Sequence, residues 1–432
     1  MKPVDAILLG AGQRGSEAVG AYALHRPDKL RFVAVAEPNE ARRNHFAENH
    51  AIPPENRFAD WRDILFRPRM AEACFNATQD RTHHESAIAA LDAGYHLFLE
   101  KPMAHTPAGC VAIADHARAN KRLLQICHPL RYSPFYTKVK SLLDSGAIGS
   151  ILSINMVENV AFWHFAHSYV RGNWRRVEDS GPTILTKCCH DMDAATWLVD
   201  SKVRRVSSVG SLRYFKEENA PTGAPARCTD GCPAEKTCPY FAPAFYLGPA
   251  GRYWPITQGM VAPTDEARLH ALKTEQYGRC VYRCDNTAVD NQGVLAEFEN
   301  DVVFSFSLIA NSVSCFRTIR IIGSDGELNG NIEKNEIRIT RFDQGFHDEA
   351  THVVHQTPEG IGGHSGGDAG VITNFVRLVR EEDYASMQKS LDIAVEGHLL
   401  SFAAEKARHE GCVLSMAEYR DQMSQQAREL AS

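Results

Sequence analysis

The 432-residue sequence predicts two domains of different class. An α/β domain on a parallel sheet covers about residues 1–130, and an α+β domain with a large, mostly antiparallel open sheet covers 131–432. Two observations predict this. Up to residue 130, short apolar runs alternate with helical segments, the pattern of βαβ units. Beyond it, apolar runs follow one another through tight turns without helices between them.

Val4–Leu9 is an apolar strand that runs into a glycine turn and a helical stretch to about His25. Arg31–Ala36 is the second strand, followed by a polar helix from Asn39. Ala73–Ala77, His96–Leu99 and Leu123–Cys127 are further strands, separated by helices over Glu85–Ala93 and Pro107–Ala119. In the second part, Ser150–Asn159, Lys202–Tyr214, Gly293–Phe298, Val302–Ala310 and Phe316–Gly323 read as strands. Phe298-Glu-Asn-Asp301 and Gly323-Ser-Asp-Gly326 supply turn chemistry. Asp368–Arg380 and Met387–Arg408 read as helices. Ala220–Lys273 is rich in Pro, Gly and Cys with little periodicity, and a loop that long is functional or held by something.

Apolar residues make up 44% and charged residues 23%, an ordinary globular composition. A formal charge of −6 argues against a nucleic-acid partner, which needs a clustered basic excess. No apolar run approaches the roughly 18–20 residues that span a bilayer, so no membrane association is expected. The N-terminus runs straight into a glycine turn without the apolar core of a signal peptide, and a cytoplasmic location is expected.

Gly10-Ala-Gly12-Gln13-Arg14-Gly15 follows a strand and opens a helix. The first glycine permits the turn, the second lets backbone approach a pyrophosphate, and the third allows close helix–strand packing. Helix N–H groups then face the phosphates. Glu37 ends the second strand 22 residues beyond Gly15, where a carboxylate accepts from a ribose 2′-hydroxyl and repels a 2′-phosphate. The expected domain is therefore of Rossmann type and binds NAD. Arg42 and Arg43 nearby leave NADP open.

At Glu100-Lys101-Pro102 the sequence resembles the glucose–fructose oxidoreductase/inositol dehydrogenase (Gfo/Idh/MocA) family. The resemblance also rests on the glycine turn, His83-His84 after the third strand, Arg131-Tyr-Ser-Pro134 and Cys189-His190-Asp191-Met192-Asp193. It implies that Thr78, His83, His84, Glu100 and Lys101 join the glycine turn at the cofactor. It further implies that Lys101 stabilises the reacting oxygen and that His190 is the general base. Many members carry an aspartate four residues before that histidine. Here Thr186 stands there, and Lys187 follows, a second cation or alternative base three residues from His190. The Trp163–Arg175 segment mixes aromatics with polar donors suited to a sugar, with His167, Arg171 and Trp174 as expected contacts. Gly362-Gly-His364-Ser-Gly-Gly367-Asp368 is similar to a family loop near the pocket. His364 is a further expected contact, and Asp368 equally a helix N-cap.

Three of the twelve cysteines, Cys74, Cys110 and Cys127, lie in apolar patterns and read as core. Cys228-x3-Cys232-x5-Cys238, with Cys280 or Cys284 about forty residues on, supplies four thiolates for zinc or an iron–sulfur cluster. The set lies in an insertion at about 220–285, similar to one in a subgroup of the family. Disulfides are the rival reading.

The expected activity is NAD(P)-dependent oxidation or reduction of a secondary hydroxyl or keto group on a sugar, glycoside or cyclitol. The open sheet suits a homodimer or homotetramer. Two alternatives stand beside it: redox-assisted glycoside cleavage with recycled NAD, and a non-catalytic dinucleotide or sugar sensor.

Overall fold

An apolar run without a polar face has to be covered on both sides. Val4–Leu9 (β1) is such a run, with five of its six residues buried. The structure is a computed structural model describing residues 2–252, 254–257, 263–345, 352–358 and 363–431. In it, β1 pairs within a six-stranded sheet that also holds Leu30–Ala36 (β2), Arg57–Phe58 (β3), Ala73–Asn76 (β4), His96–Leu99 (β5) and Leu124–Ile126 (β6). The order is β3-β2-β1-β4-β5-β6, with every neighbouring pair parallel. Strand order reverses between β1 and β4, and a crevice opens there beyond the carboxyl ends of the strands. The glycine turn after β1, Ala77-Thr78 after β4 and Glu100-Lys101 after β5 all border it.

The second sheet has nine strands: Ile151–Ala161 (β7), Val203–Ser211 (β8), Asn291–Phe298 (β9), Val303–Ser312 (β10), Phe316–Gly323 (β11), Gly326–Asn331 (β12), Glu336–Arg341 (β13), His352–Gln356 (β14) and Leu414–Ser415 (β15). They lie in the order β14-β13-β12-β11-β7-β10-β9-β8-β15, antiparallel except where β10 runs parallel to β7. Strand β9 alternates buried and open positions, the signature of a sheet covered on one face. The inner face of the sheet shares one core with helices Pro134–Asp144 and Cys189–Val199 through Val139, Leu142, Met192 and Leu198.

The strand expected over Lys202–Tyr214 stops at Ser211. The Asp290 carboxylate accepts from the N–H groups of Arg213 and Tyr214 at 3.0 and 2.6 Å, which draws the chain out of the ladder. Strand β12 is polar and short and no apolar pattern announces it, while β13 carries a brief alternation that buries Ile337 and Ile339. The insertion between β8 and β9 holds two helices that its composition hides, Ala242–Tyr246 and Asp265–Thr274. The second is capped by Thr264, which accepts from Ala267 N–H.

Two late helices bind the halves together. Gly367–Glu381 returns to the first sheet, where Val371, Phe375 and Val376 pack with Leu8, Phe32, Phe75 and Phe98. Tyr384–Glu410 runs for 27 residues, about 40 Å at 1.5 Å per residue. Its first half joins the far face of the first sheet through Leu391 and Ala394, and its second half joins the other core through Leu400 and Ala404. Among the described residues, no helix is long and apolar enough to cross a membrane.

The turn after β6 is tied to helix Cys189–Val199 by a buried ion pair: Arg131 Nε donates to Asp193 Oδ2 at 2.6 Å, and Arg131 Nη2 to Oδ1. Removing one partner strands the other charge in the interior. Asp193→Ala is expected to cost about 3–5 kcal/mol, read as a lower urea midpoint than wild type. An unchanged midpoint refutes this role.

Candidate active site

The glycine turn is set by contact. Gly10 has φ +88°, and a Cβ there would meet the Ala77 carbonyl oxygen at 2.5 Å. A Cβ at Gly15 would meet Gly10 O at 2.0 Å, so both positions exclude a side chain. At Gly12 a Cβ would meet nothing within 4 Å. That open side fits a pyrophosphate approaching the backbone. Gln13 is exposed beside it, and the helix begins as a wide π-type turn over Arg14–Gly20.

Glu37 is buried at the end of β2. Its Oε2 accepts from Ala11 N–H at 2.9 Å, while Oε1 accepts from Asn39 N–H at 3.0 Å and from Arg42 Nη2 at 2.9 Å. The carboxylate is thus tied to the turn itself and stands where a ribose would lie. Arg43 donates to the Glu37 carbonyl at 2.7 Å.

Arg14 does more than line the turn. Its Nε donates to Glu100 Oε1 at 2.9 Å, and its Nη1 and Nη2 donate to the two Asp368 oxygens at 2.9 and 3.0 Å. Asp368 also meets His364 Nδ1 at 3.0 Å. The acid is therefore not the helix N-cap. Gly366 occupies that position, and no side chain bonds there. Gly362 of the same loop lies outside the described residues.

Beyond His364 runs a row of rings. His364 and His190 have centroids 5.1 Å apart, His190 and His128 5.6 Å, and His128 and His398 5.2 Å. His190 Nδ1 is buried with no hydrogen-bond partner. Burial pushes His190 well below its ordinary value, and His364, Lys101 and His128 add to the effect. His364 is also lowered by burial, against the pull of Asp368. His128, Cys189 and His190 bring their ligand atoms within 4.8 Å of one another.

Lys101 Nζ donates to the Thr186 carbonyl at 3.0 Å and lies 5.7 Å from the centre of the Trp174 ring. Trp174 Nε1 donates to Asp80 at 2.8 Å. Thr186 is buried and turns its hydroxyl to the Pro182 carbonyl, so it places no charge on His190. Lys187 faces the other way and pairs with buried Glu158 at 3.3 Å, which also meets Arg317. Arg317 in turn holds Asp191 at 2.8 Å.

Of the remaining expected residues, Thr78 lies against Gly10 and bonds Asn76. His83 is buried between the carbonyls of Pro102 and Thr78, bracing the Lys101 loop. His84 sits by Thr106–Gly109 with its Nε2 buried and unpartnered. His167 and Arg171 are not gathered into the cleft but turn to the insertion. His167 bonds Tyr246 at 2.9 Å and stacks on Tyr277 at 4.6 Å. Arg171 donates to the carbonyls of Arg279 and Tyr240. Sequence reasoning missed His128 and His398, which carry no motif. It also missed the pairing of Arg131 with Asp193, although both lie in motifs that carry the family resemblance.

Sheet order, glycine turn and Glu37 define a dinucleotide-binding class of protein with an appended mixed-sheet unit. The family described as an oxidoreductase family with an NAD-binding Rossmann fold matches residues 4–128, and its C-terminal alpha/beta domain matches 140–389. The chain belongs to this Gfo/Idh/MocA oxidoreductase family.

The oxidoreductase YteT of Bacillus subtilis is 21% identical over 314 residues, 71% of this chain and 72% of that protein. An inositol 2-dehydrogenase of Acidothermus cellulolyticus is 30% identical over 205 residues, 47% of this chain and 52% of that protein. The chain thus spans about half the length of that dehydrogenase. A levoglucosan dehydrogenase solved with NADH and levoglucosan shares the fold, with a TM-score of 0.68 at 19% identity over 96% of this chain and 99% of that one.

With Arg42 released from Glu37, a 2′-phosphate gains a partner and loses a repelling charge. Glu37→Ala is expected to shift the ratio of NADP to NAD affinity upward by about tenfold or more, the equivalent of 1.4 kcal/mol. Titration of both dinucleotides by protein fluorescence measures it, and an unchanged ratio removes Glu37 from cofactor choice.

Proposed function

We propose that the protein oxidises a secondary hydroxyl of a sugar, glycoside or cyclitol, with NAD in preference to NADP. The observation that carries this reading is the placement of Lys101 and the His190–His364 pair at the crevice where the glycine turn opens. Bound NAD supplies the hydride acceptor. Lys101 donates a hydrogen bond to the substrate oxygen and stabilises alkoxide charge as it develops. His190 takes the hydroxyl proton. His364, with Nδ1–H held by Asp368, presents Nε2 as the next acceptor. The Thr186 position lacks a carboxylate, and the Asp368–His364 pair supplies the missing orientation from another part of the chain. Trp174, held by Asp80, offers a flat face to the C–H side of a ring.

In the same reading the cysteine set Cys228, Cys232, Cys238 and Cys280 or Cys284 is a structural metal site, and the outer sheet face pairs two copies. That face exposes Val209, Leu295, Val303 and Ile309. Relatives named for inositol and levoglucosan support the substrate class, and reduction in the reverse direction uses the same groups.

NADH formation on a panel of cyclitols, anhydrosugars and glycosides tests the reaction. Turnover with at least one class is expected, falling about 10²–10⁴-fold in His190→Ala. Wild type that binds NAD yet turns over nothing refutes it.

The pH profile tests the proton acceptors. A base with a depressed pKa is neutral and active above that value, and activity is lost as pH falls through it. Both His190 and His364 lie below their ordinary 6.5, so the acid limb of kcat/KM is expected below pH 6.5. Asp368 raises His364, so Asp368→Asn should move the limb to still lower pH. An unmoved limb takes His364 out of the proton path.

A further inference from the structure

Four cysteines of the insertion face one another. Cys228, Cys232, Cys238 and Cys280 line a single pocket, partly open to solvent, with Pro221, Tyr240 and Val281. None is in a disulfide. Two stretches far apart in sequence bring them together: Cys228 N–H donates to Gly278 O at 2.9 Å, and Cys280 N–H to Ala226 O at 2.9 Å.

Backbone donors stand at two of the sulfurs. The backbone N–H of Tyr240 faces Cys238 Sγ, and that of Tyr282 faces Cys280 Sγ. Arg171 Nη2 lies 3.7 Å from Cys228 Sγ.

Arg171 is the independent observation. Its side chain is buried, only 2% of the residue being exposed, and among the described residues it has no carboxylate partner. Its polar contacts are two carbonyls, a thiol and the Tyr246 hydroxyl, none of them a carboxylate. A buried guanidinium without a counter-charge is costly. Four thiolates around a metal centre carry the negative charge it lacks.

Spacing separates the candidate centres. A single zinc with Zn–S near 2.3 Å draws its sulfurs to about 3.8 Å from one another. Among the described residues, one trio of ligand atoms lies within 4.8 Å, and it is His128, Cys189 and His190 rather than any of these thiols. No three of the four sulfurs lie within 4.8 Å of one another, a wider spacing than a single zinc draws together, which suits a polynuclear cluster.

We propose that Cys228, Cys232, Cys238 and Cys280 hold a [4Fe–4S] cluster, with Arg171 as its buried counter-charge. It rests on the structural metal site of the preceding section and not on the dehydrogenase chemistry. A preformed [4Fe–4S] core from an iron–sulfur carrier exchanges its four carrier bonds for four S–Fe bonds to these cysteines, the S–H protons pass to the departing donors or solvent, and no redox step is assigned to the cluster. Cys284 is outside the ligand set, and its Sγ is bonded to the Cys280 carbonyl at 3.3 Å. The role is positional. Arg171 ends the helical segment from Phe162, and Trp174 beyond it meets Asp80 and Lys101. The cluster therefore fixes the strip of chain that forms the outer wall of the cleft.

The test is metal analysis of the full chain purified without oxygen. About four iron and about four acid-labile sulfide per chain are expected, with a broad visible absorption. Cys228→Ser and Cys238→Ser should lose iron and sulfide together, while Cys284→Ser keeps both. One zinc per chain without sulfide overturns the cluster, and protein with neither metal overturns the site. The wild-type composition alone decides between these outcomes, so a variant that fails to fold does not affect the test. NADH formation is measured separately, so a failed dehydrogenase and a failed cluster give different results.

Discussion

The Arg14 guanidinium is the contact on which the cleft depends. It bridges Glu100, 86 residues away, and Asp368, 354 residues away. Both carboxylates are buried, and neither would be tolerated there without a cation. One side chain in the glycine turn thus places the Lys101 loop and the His364 loop at the same end of the first sheet. It also explains why helix Gly367–Glu381 packs on that sheet although its sequence neighbours belong to the second. The apolar face of the helix supplies the adhesion, through Phe375 against Phe75 and Phe98. The ion pair at its start supplies the direction.

Electrostatics around the histidine row follow from the same pairing. Asp368 is spent on Arg14 and His364, Asp193 on Arg131, and Asp191 on Arg317. Among the described residues no carboxylate pairs with His190, while Lys101 acts on it from the crevice. A buried imidazole beside a cation stays neutral, which is the state a proton acceptor needs. Lys187 enters this balance from the far side. Held against Glu158, it completes a buried charge cluster with Arg317 and Asp191.

Much of this was legible in the sequence where one local rule sufficed. Alternating strand and helix located the first sheet, and Gly10, Gly15 and Glu37 stand as their spacing implies because each acts within one βαβ unit. The central strands of the second sheet were legible from their alternation. One flank of it was not: Gly326–Asn331 has almost no apolar content, and it pairs because the strands on either side present open ladders. The site was legible in part for the same reason. Lys101 and His190 carry a family register, whereas the Arg14–Asp368 pair joins residues at opposite ends of the chain. His167 and Arg171 show the opposite failure. Aromatic and basic residues in one segment suit a sugar, but they equally suit burial among Tyr246, Tyr277 and Trp254. No local signal separates the two.

That ambiguity has a physical resolution in the insertion. A long irregular stretch between β8 and β9 has to bury its own apolar side chains to offset chain entropy. One small cluster is built on Ala242, Tyr246, Ile256 and Leu272. The Cys228–Tyr240 turn rests on the Gly278 backbone, on Arg171 and, through Tyr240, on Phe162, Phe215 and Tyr282. Arg171 reads as a sugar ligand in sequence, whereas in the structure it braces the insertion, donating to the carbonyls of Arg279 and Tyr240.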